Sequence, residues 1–328
     1  MEANFSQFDG QTVLVTGGTG SFGQKFVRHM LERSKVKKLI IFSRDELKQS
    51  EMMAAISDPH DCLRFFLGDV REVQRLQRAL NGVDIVIHAA ALKQVPLLEY
   101  NPYEAVKTNI IGTQNIIDAA INMHVKKVIF ISTDKAVNPV NLYGATKMCA
   151  EKLMIHGNVY AGGTTKFSAV RYGNVIGSRG SIIETIKKRA PDDPVRLTHP
   201  DMTRFWITLE QGVALVTKAA ALMSGGEIFV PKLPSMRIVD LIAAIAPGAL
   251  QEVIGIRPGE KINEVLLTEE ENRRTSEYED FYVVYPTEMA RSLSAMTGGQ
   301  SLPPDFEYTS HRNSRQLTPE DIRGFISV

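Results

Sequence analysis

Cysteine is nearly missing from this chain: Cys62 and Cys149 are the only two in 328 residues, and they fit neither a disulfide framework nor the spacing of metal ligands. Cys149 falls inside an apparent helix, and both read as reduced packing residues, with no metal expected. Charge of one sign is missing as well. Lys and Arg total 38 against 37 Asp and Glu, a net charge of +1, so no global field exists to hold a nucleic-acid backbone or an anionic membrane. Any anionic ligand must be gripped locally. No apolar run approaches the roughly 20 residues that span a bilayer. Met1 to Gln11 is polar and acidic, without the basic and apolar regions of a secretory signal, so a soluble cytoplasmic protein is expected. Low-complexity tracts and solenoid-period repeats are absent, which excludes long disordered segments and arrays.

What is present is a rhythm. Short β-branched runs alternate with helical patterns through the first half, the signature of βαβ units in a doubly wound parallel sheet, a Rossmann-type α/β fold. Strands are expected at Thr12 to Thr16, Lys38 to Ser43, Leu63 to Gly68, Asp84 to His88, Lys127 to Ser132 and Lys166 to Tyr172. Helices are expected at Phe22 to Arg33, Asp45 to Ile56, Val73 to Leu80, Tyr103 to Asn122 and Tyr143 to Gly157. After Tyr172 the rhythm loosens, with Gly and Pro punctuating Gly173 to Pro200 and Pro231 to Pro258. Phe205 to Leu209 and Glu227 to Val230 are candidates to rejoin the main sheet. The expected division is therefore interleaved: residues 1–176 with about 204–232 form the nucleotide-binding domain, and about 177–203 with 233–328 form a smaller substrate domain.

The first strand runs into Thr16-Gly17-Gly18-Thr19-Gly20-Ser21-Phe22-Gly23, where Gly18, Gly20 and Gly23 satisfy G-x-G-x-x-G between a strand and a helix. Such a turn lets backbone N–H groups and a helix N-terminus approach a pyrophosphate. Dinucleotide sites specific for NAD usually place an acid at the end of the second strand, on the ribose 2'-hydroxyl. Here Ser43-Arg44 stand at that place, with Asp45 next. Arg44 offers a fork to a 2'-phosphate, so NADP is expected over NAD; the plainer reading is a solvated arginine. Asp69, closing the third strand, is placed either to accept from the adenine amino group or to cap a helix.

Tyr143 and Lys147 form Y-x-x-x-K, one helical turn apart on one face. A tyrosine with a free pKa of about 10 is a poor base at neutral pH, but a neighbouring ammonium and a nicotinamide cation favour its phenolate. It then takes a proton from a sugar hydroxyl as hydride leaves the carbon. The fifth strand ends in Ser132-Thr133-Asp134-Lys135. An epimerase or a simple dehydrogenase needs only a hydroxyl donor there, whereas Asp134 and Lys135 add an acid and a base. Once C4 of a hexose is a ketone, that pair can expel water across C5 and C6. Lys135 acts as a base only if its pKa falls from about 10.4, through burial or a cation such as Lys147. The plainer reading is a structural ion pair.

On these residues the chain resembles the inverting UDP-N-acetylglucosamine 4,6-dehydratases of the extended short-chain dehydrogenase/reductase superfamily, including those that open the pseudaminic-acid pathway. The resemblance spans most of the chain and rests further on His88 to Pro96, Lys107 to Thr113, Asn138-Pro139, Arg171 to Val175 and Met202 to Trp206. It implies Lys135 as the C5 base, Asp134 as the acid toward the C6 hydroxyl, Tyr143 as the C4 base supported by Lys147, and Thr133 beside them. It implies a tightly held, recycled NADP contacted by Gly17, Thr19, Gly20, Ser21, Phe22, Gly23, Ser43, Arg44, Asp45, Lys48, Asp69, Val70, Ala89, Ala90, Lys93, Thr108, Tyr143 and Lys147. The product implied is a 4-keto-6-deoxy sugar inverted at C5. The similar dTDP-glucose dehydratases carry Asp-Glu where this chain has Asp134-Lys135. UDP-N-acetylglucosamine is the expected partner, with Lys93, Asn174, Arg179, Arg204 and Arg257 as candidate contacts, and a homo-oligomer, dimer or hexamer, is expected. Glu269 to Arg274 reads as solvated surface. The competing readings are a 4-epimerase and a non-catalytic NADP-binding regulator.

Overall fold

The computed structural model describes residues 3–178, 180–190, 193–287, 296 and 298–326. Strands and helices alternate from the N-terminus as β1 (Thr12–Thr16), α1 (Ser21–Arg33), β2 (Lys38–Ser43), α2 (Glu46–Ala55), β3 (Leu63–Leu67), α3 (Val73–Leu80) and β4 (Ile85–His88). They continue as α4 (Val95–Tyr100), α5 (Pro102–Ala105), α6 (Gly112–Asn122), β5 (Lys127–Ile131), α7 (Leu142–Tyr160) and β6 (Lys166–Val170). The six strands lie parallel in the order β3-β2-β1-β4-β5-β6. Helices on both faces explain why the central strands are apolar throughout: Val13, Leu14, Val15, Leu39, Ile41, Val86 and Ile87 are fully buried. Each such side chain stabilises the fold by roughly 1.5–3 kcal/mol. The strand order reverses between β1 and β4, and a crevice opens outside the carboxyl ends of the strands at such a point.

The expected helix from Tyr103 to Asn122 is interrupted. Between α5 and α6 the chain takes a widened, π-type turn over Val106–Ile111. Asn109 holds it open: its side chain bonds the N–H (2.8 Å) and the carbonyl (2.9 Å) of Leu92 and the Thr146 hydroxyl (3.0 Å).

Later strands depart from the expected division. Ile228–Pro231 extends the main sheet beside β6, as anticipated. Phe281–Val284, Thr275–Glu277 and Gln300–Ser301 then continue it antiparallel, so part of the stretch assigned to the substrate side completes the nucleotide-binding sheet. The reason is burial: Phe281 to Val284 are all buried and cover what would be an open edge. Thr203–Ile207 does not rejoin the main sheet. It pairs with Asn174–Val175 and Ser235–Arg237 in a separate three-stranded sheet. A second, smaller core gathers there, from Ile183, Leu197, Trp206, Met236, Leu241 and Ile242 among others. No helix among the described residues is long and apolar enough to cross a membrane.

His88 stitches the reversal point. Its Nδ1 lies 2.7 Å from Thr16 Oγ1 and its Nε2 3.1 Å from Thr113 Oγ1. Burial, with Lys147 adding repulsion, pushes its pKa down to about 3, so the imidazole stays neutral when folded. The unfolded chain takes up this proton near pH 6.5 and the native state does not, so stability falls as pH drops through that window. Urea titrations at pH 7.5 and 5.5 are expected to show the native protein losing about 1.4 kcal/mol more than His88→Gln. Equal losses would refute the assignment.

Candidate active site

A cleft of about 630 Å³ opens over the carboxyl ends of the strands, walled by Gly17, Thr19, Gly20, Ser21, Phe22 and Gly23 at one end and by Tyr143, Lys135 and Asn174 at the other. Gly20 caps α1 in an extended conformation with no side-chain bond to the helix, leaving the first N–H groups to a ligand. Gly23 permits the tightness of this turn: a Cβ there would sit 2.5 Å from the backbone of Gly18.

At the end of β2, Ser43 is buried, its hydroxyl accepting from Gln49 Nε2 at 2.9 Å. Arg44 is half-exposed and lines the cleft. The neighbouring acid is occupied. Asp45 caps α2 by accepting from the Lys48 N–H (3.0 Å) and pairs with Lys48 Nζ (2.6 Å), and these bonds hold its carboxyl below the usual range. Lys48, Val70, Ala89, Ala90, Lys93 and Thr108 line the same cleft. Thr108 Oγ1 is buried with no partner, an oxygen a bound ligand would satisfy. Asp69 does not join them. It is buried against Arg71, at 2.8 Å from Nε, with Arg44 at 3.5 Å. Burial alone would raise its pKa, but the Arg71 bonds win and keep it ionised.

The chemistry-bearing residues converge where β5 ends. Thr133, buried, donates to Asp134 Oδ1 at 3.0 Å, and Asp134 to Ala136 form a single 3-10 turn. Gly144 lets α7 approach this turn, since a Cβ there would lie 2.2 Å from the Lys135 carbonyl. That approach brings Tyr143 to the Thr133 hydroxyl. Lys135 Nζ donates to Asp134 Oδ1 and to Asn174 Oδ1, both at 3.0 Å, and stands 3.6 Å from Glu264 Oε1.

Two electrostatic expectations need correction. Burial does press the Lys135 pKa down, but Asp134 and Glu264 outweigh it and leave the amine at about 12, an ammonium when no ligand is bound. Lys147 lines the same cleft as Tyr143, but burial weakens its charge. It donates to the Ile131 carbonyl at 2.7 Å, lies 3.8 Å over the Phe130 ring, and is driven to about 7 by burial against a partial offset from Glu151. Burial raises the Tyr143 pKa, and the groups that oppose this are Lys135 and the Thr133 hydroxyl. Asp134, fully buried, is raised by burial, with Lys135 opposing and Glu264 reinforcing, and its Oδ2 has no partner.

Of the expected substrate contacts, Lys93 and Asn174 line the cleft. Arg204 does not; it is buried and donates to the carbonyls of Thr203, Ile262 and Lys261, bracing that loop. Arg257 is half-exposed, 3.9 Å from Glu260, and stands outside the lining. Arg179 lies outside the described residues. Glu264, Tyr172 and Trp206 were not anticipated as site residues. Trp206 belongs to the quoted Met202 to Trp206 run, which was a signal; Glu264, an acid leading into Val265-Leu266-Leu267, gave none. The stretch Glu269 to Arg274 is not simply solvated. Glu271 binds the buried Arg171 at 2.9 Å, and Arg171 in turn binds Glu151 on α7.

A Rossmann-type sheet whose crevice holds a glycine turn, a tyrosine and a lysine defines a nucleotide-binding α/β protein with the apparatus for acid–base chemistry. The sequence profile described as polysaccharide biosynthesis protein matches residues 13–286, and the chain belongs to that family. It is 46% identical over 330 residues to the UDP-N-acetylglucosamine 4,6-dehydratase (inverting) of Campylobacter jejuni subsp. jejuni serotype O:23/36 (strain 81-176), with 98% of each chain covered. It is 40% identical over 332 residues to the UDP-glucose 4-epimerase of Rickettsia rickettsii (strain Sheila Smith), covering 97% of this chain and 96% of that one. The X-ray structure of Pen from Bacillus thuringiensis matches at a TM-score of 0.89 and 35% identity, with 98% of each chain covered.

Substituting Gly23→Ala is expected to weaken dinucleotide binding at least about tenfold, because backbone and not a flexible side chain must yield to the new methyl. Fluorescence titration with NADP checks this, and unchanged affinity would contradict the tight turn.

Proposed function

We propose that the protein is an NADP-dependent UDP-N-acetylglucosamine 4,6-dehydratase that inverts C5. The observation that carries the reading is the acid–amine pair: Lys135 lines the cleft with Tyr143, and the buried Asp134 stands directly behind it, 3.0 Å from its Nζ. The similarity to the inverting dehydratase of Campylobacter jejuni supports the substrate and the stereochemistry.

The dinucleotide would lie along Gly17 to Gly23, with Ser43, Arg44 and Lys48 around a 2'-phosphate and Thr108 supplying a free hydroxyl oxygen. When bound, it supplies one chemistry, accepting the C4 hydrogen as hydride and giving it back at C6. The chain's own residues handle protons. Tyr143 takes the proton of the C4 hydroxyl. A single proton transfer from Lys135 Nζ to Asp134 Oδ1 turns the resting ion pair into a neutral amine and a carboxylic acid, which are the base and the acid elimination requires. Lys135 then removes the C5 proton as Asp134 protonates the departing C6 hydroxyl. Return of a proton from Lys135 to C5, and of the Tyr143 proton to the Asp134 carboxylate, regenerates the neutral amine and the acid, and proton transfer back from Asp134 to Lys135 restores the resting ion pair. The sum is loss of one water with no net oxidation.

Incubating the protein with UDP-N-acetylglucosamine and NADP is expected to give a product lighter by one water, with deuterium at C5 when the solvent is deuterated. An unchanged mass with C4 scrambled would mean a 4-epimerase instead. Lys135→Met and Asp134→Asn are each expected to lower kcat about 10³-fold, the scale of a lost general acid or base. Arg44→Ala is expected to weaken NADP about tenfold to hundredfold while leaving NAD unchanged, since only the 2'-phosphate meets the guanidinium. Equal loss for both dinucleotides would remove Arg44 from this role.

A further inference from the structure

Glu264 is a buried carboxylate that the mechanism above does not use. It precedes the strand Val265–Leu267, and its N–H is tethered to Ser310 Oγ at 2.9 Å. Its side chain is 3% exposed and faces three cations: Lys135 at 3.6 Å, Arg204 at 3.7 Å and Lys261 at 3.5 Å. Its Oε2 makes no hydrogen bond. An acid placed so deep costs several kcal/mol unless its neighbours repay it. Arg204 and Lys261 are committed elsewhere, donating to the carbonyls of Thr203, Ile262 and Lys261 and of Val137 respectively.

We propose that Glu264 is a positioning residue that keeps one proton on the Asp134–Lys135 pair. The inference rests on the dehydratase reading, in which the pair must hold one proton, on the amine or on the carboxyl, before elimination. Two carboxylates around one amine make loss of that shared proton unfavourable, and the titration belongs to the group rather than to either residue. The charged and titratable groups acting on Lys135 are Asp134, Glu264 and Arg204, with Lys93 and Tyr143 also coupled to it. Of these, Glu264 alone comes from the segment beyond residue 260, so the protonation of the site depends on how that loop seats. Direction supports the geometry, because Glu264 raises both Asp134 and Lys135.

The test is competitive acetylation of the full-length protein with acetic anhydride between pH 8 and 10, quantified at Lys135 by mass spectrometry with the exposed Lys188 as reference. The Lys135 side chain is 26% exposed and within reach of the reagent. In Glu264→Gln, labelling of Lys135 at pH 9 is expected to rise at least about tenfold, one pH unit of lost proton affinity. Glu264→Asp, which keeps the charge on a shorter stem, is expected to fall between the two, and it carries the test if the glutamine protein does not fold. Native-like labelling in either folded variant overturns the proposal. In parallel, kcat/KM of Glu264→Gln is expected to decline from pH 7.5 to 10 more steeply than that of the native enzyme, whereas a merely structural role would lower the whole profile without changing its shape. Raised labelling in a protein whose native form dehydrates nothing would sink the dehydratase reading and leave the control of Lys135 by Glu264 standing.

Discussion

The placement of one ammonium group at the end of β5 is the constraint on which the site is built. Lys135 is three-quarters buried, and a charge moved out of water is tolerated only where opposite charge and hydrogen bonds stand close. Its partners come from separated parts of the chain: Asp134 from the same turn, Asn174 from the short strand after β6, and Glu264 from far beyond. None can move without stranding a charge. Charge state and folding are therefore coupled here, because the contacts that make the buried amine tolerable also set its affinity for a proton.

The rest of the cleft follows from a different economy. A chain with almost balanced charge cannot attract an anionic ligand by its overall field, so the cleft offers local devices. The open N-terminus of α1, the half-exposed Arg44 and the neutralisation of Asp45 by Lys48 are such devices. Behind the turn that follows β5 a buried relay ties the walls together. Ser132 donates to Glu151 at 2.6 Å, Glu151 binds Arg171 on the segment after β6, and Arg171 reaches Glu271 near the C-terminal strands. Removing the arginine would leave the buried Glu151 with only the Ser132 hydroxyl and take from the partly buried Glu271 its nearest cation, a costly outcome for a network of this kind.

Much of this was legible in residues alone. The strand and helix rhythm of the first half needed only periodicity, and the parallel sheet forms with boundaries within a residue or two of those expected. The glycine turn and the Tyr143–Lys147 spacing are local patterns whose geometry follows from one helix. Legibility ended where a side chain's neighbours are distant in sequence. Arg204 reads as a phosphate contact because it is a cation near a strand end, yet it is turned inward to backbone carbonyls. Glu271 reads as solvated because its neighbours are charged, yet it faces a buried arginine. The antiparallel strands at residues 275–284 escaped notice because an acidic run precedes them, although Phe281 to Val284 are all buried.

Sequence by itself determined the order of elements, the glycine turn and which side chains stand at the ends of the strands, since each depends on neighbours a few residues away. It also supplied the chemical types of Asp134, Lys135 and Tyr143. Only the tertiary structure decided their charge states. A pKa is set by burial and by charges within a few ångströms, and for Lys135 those charges include Glu264, 129 positions along the chain. The same physics sets Lys135, across the turn, against the burial that raises the Tyr143 pKa.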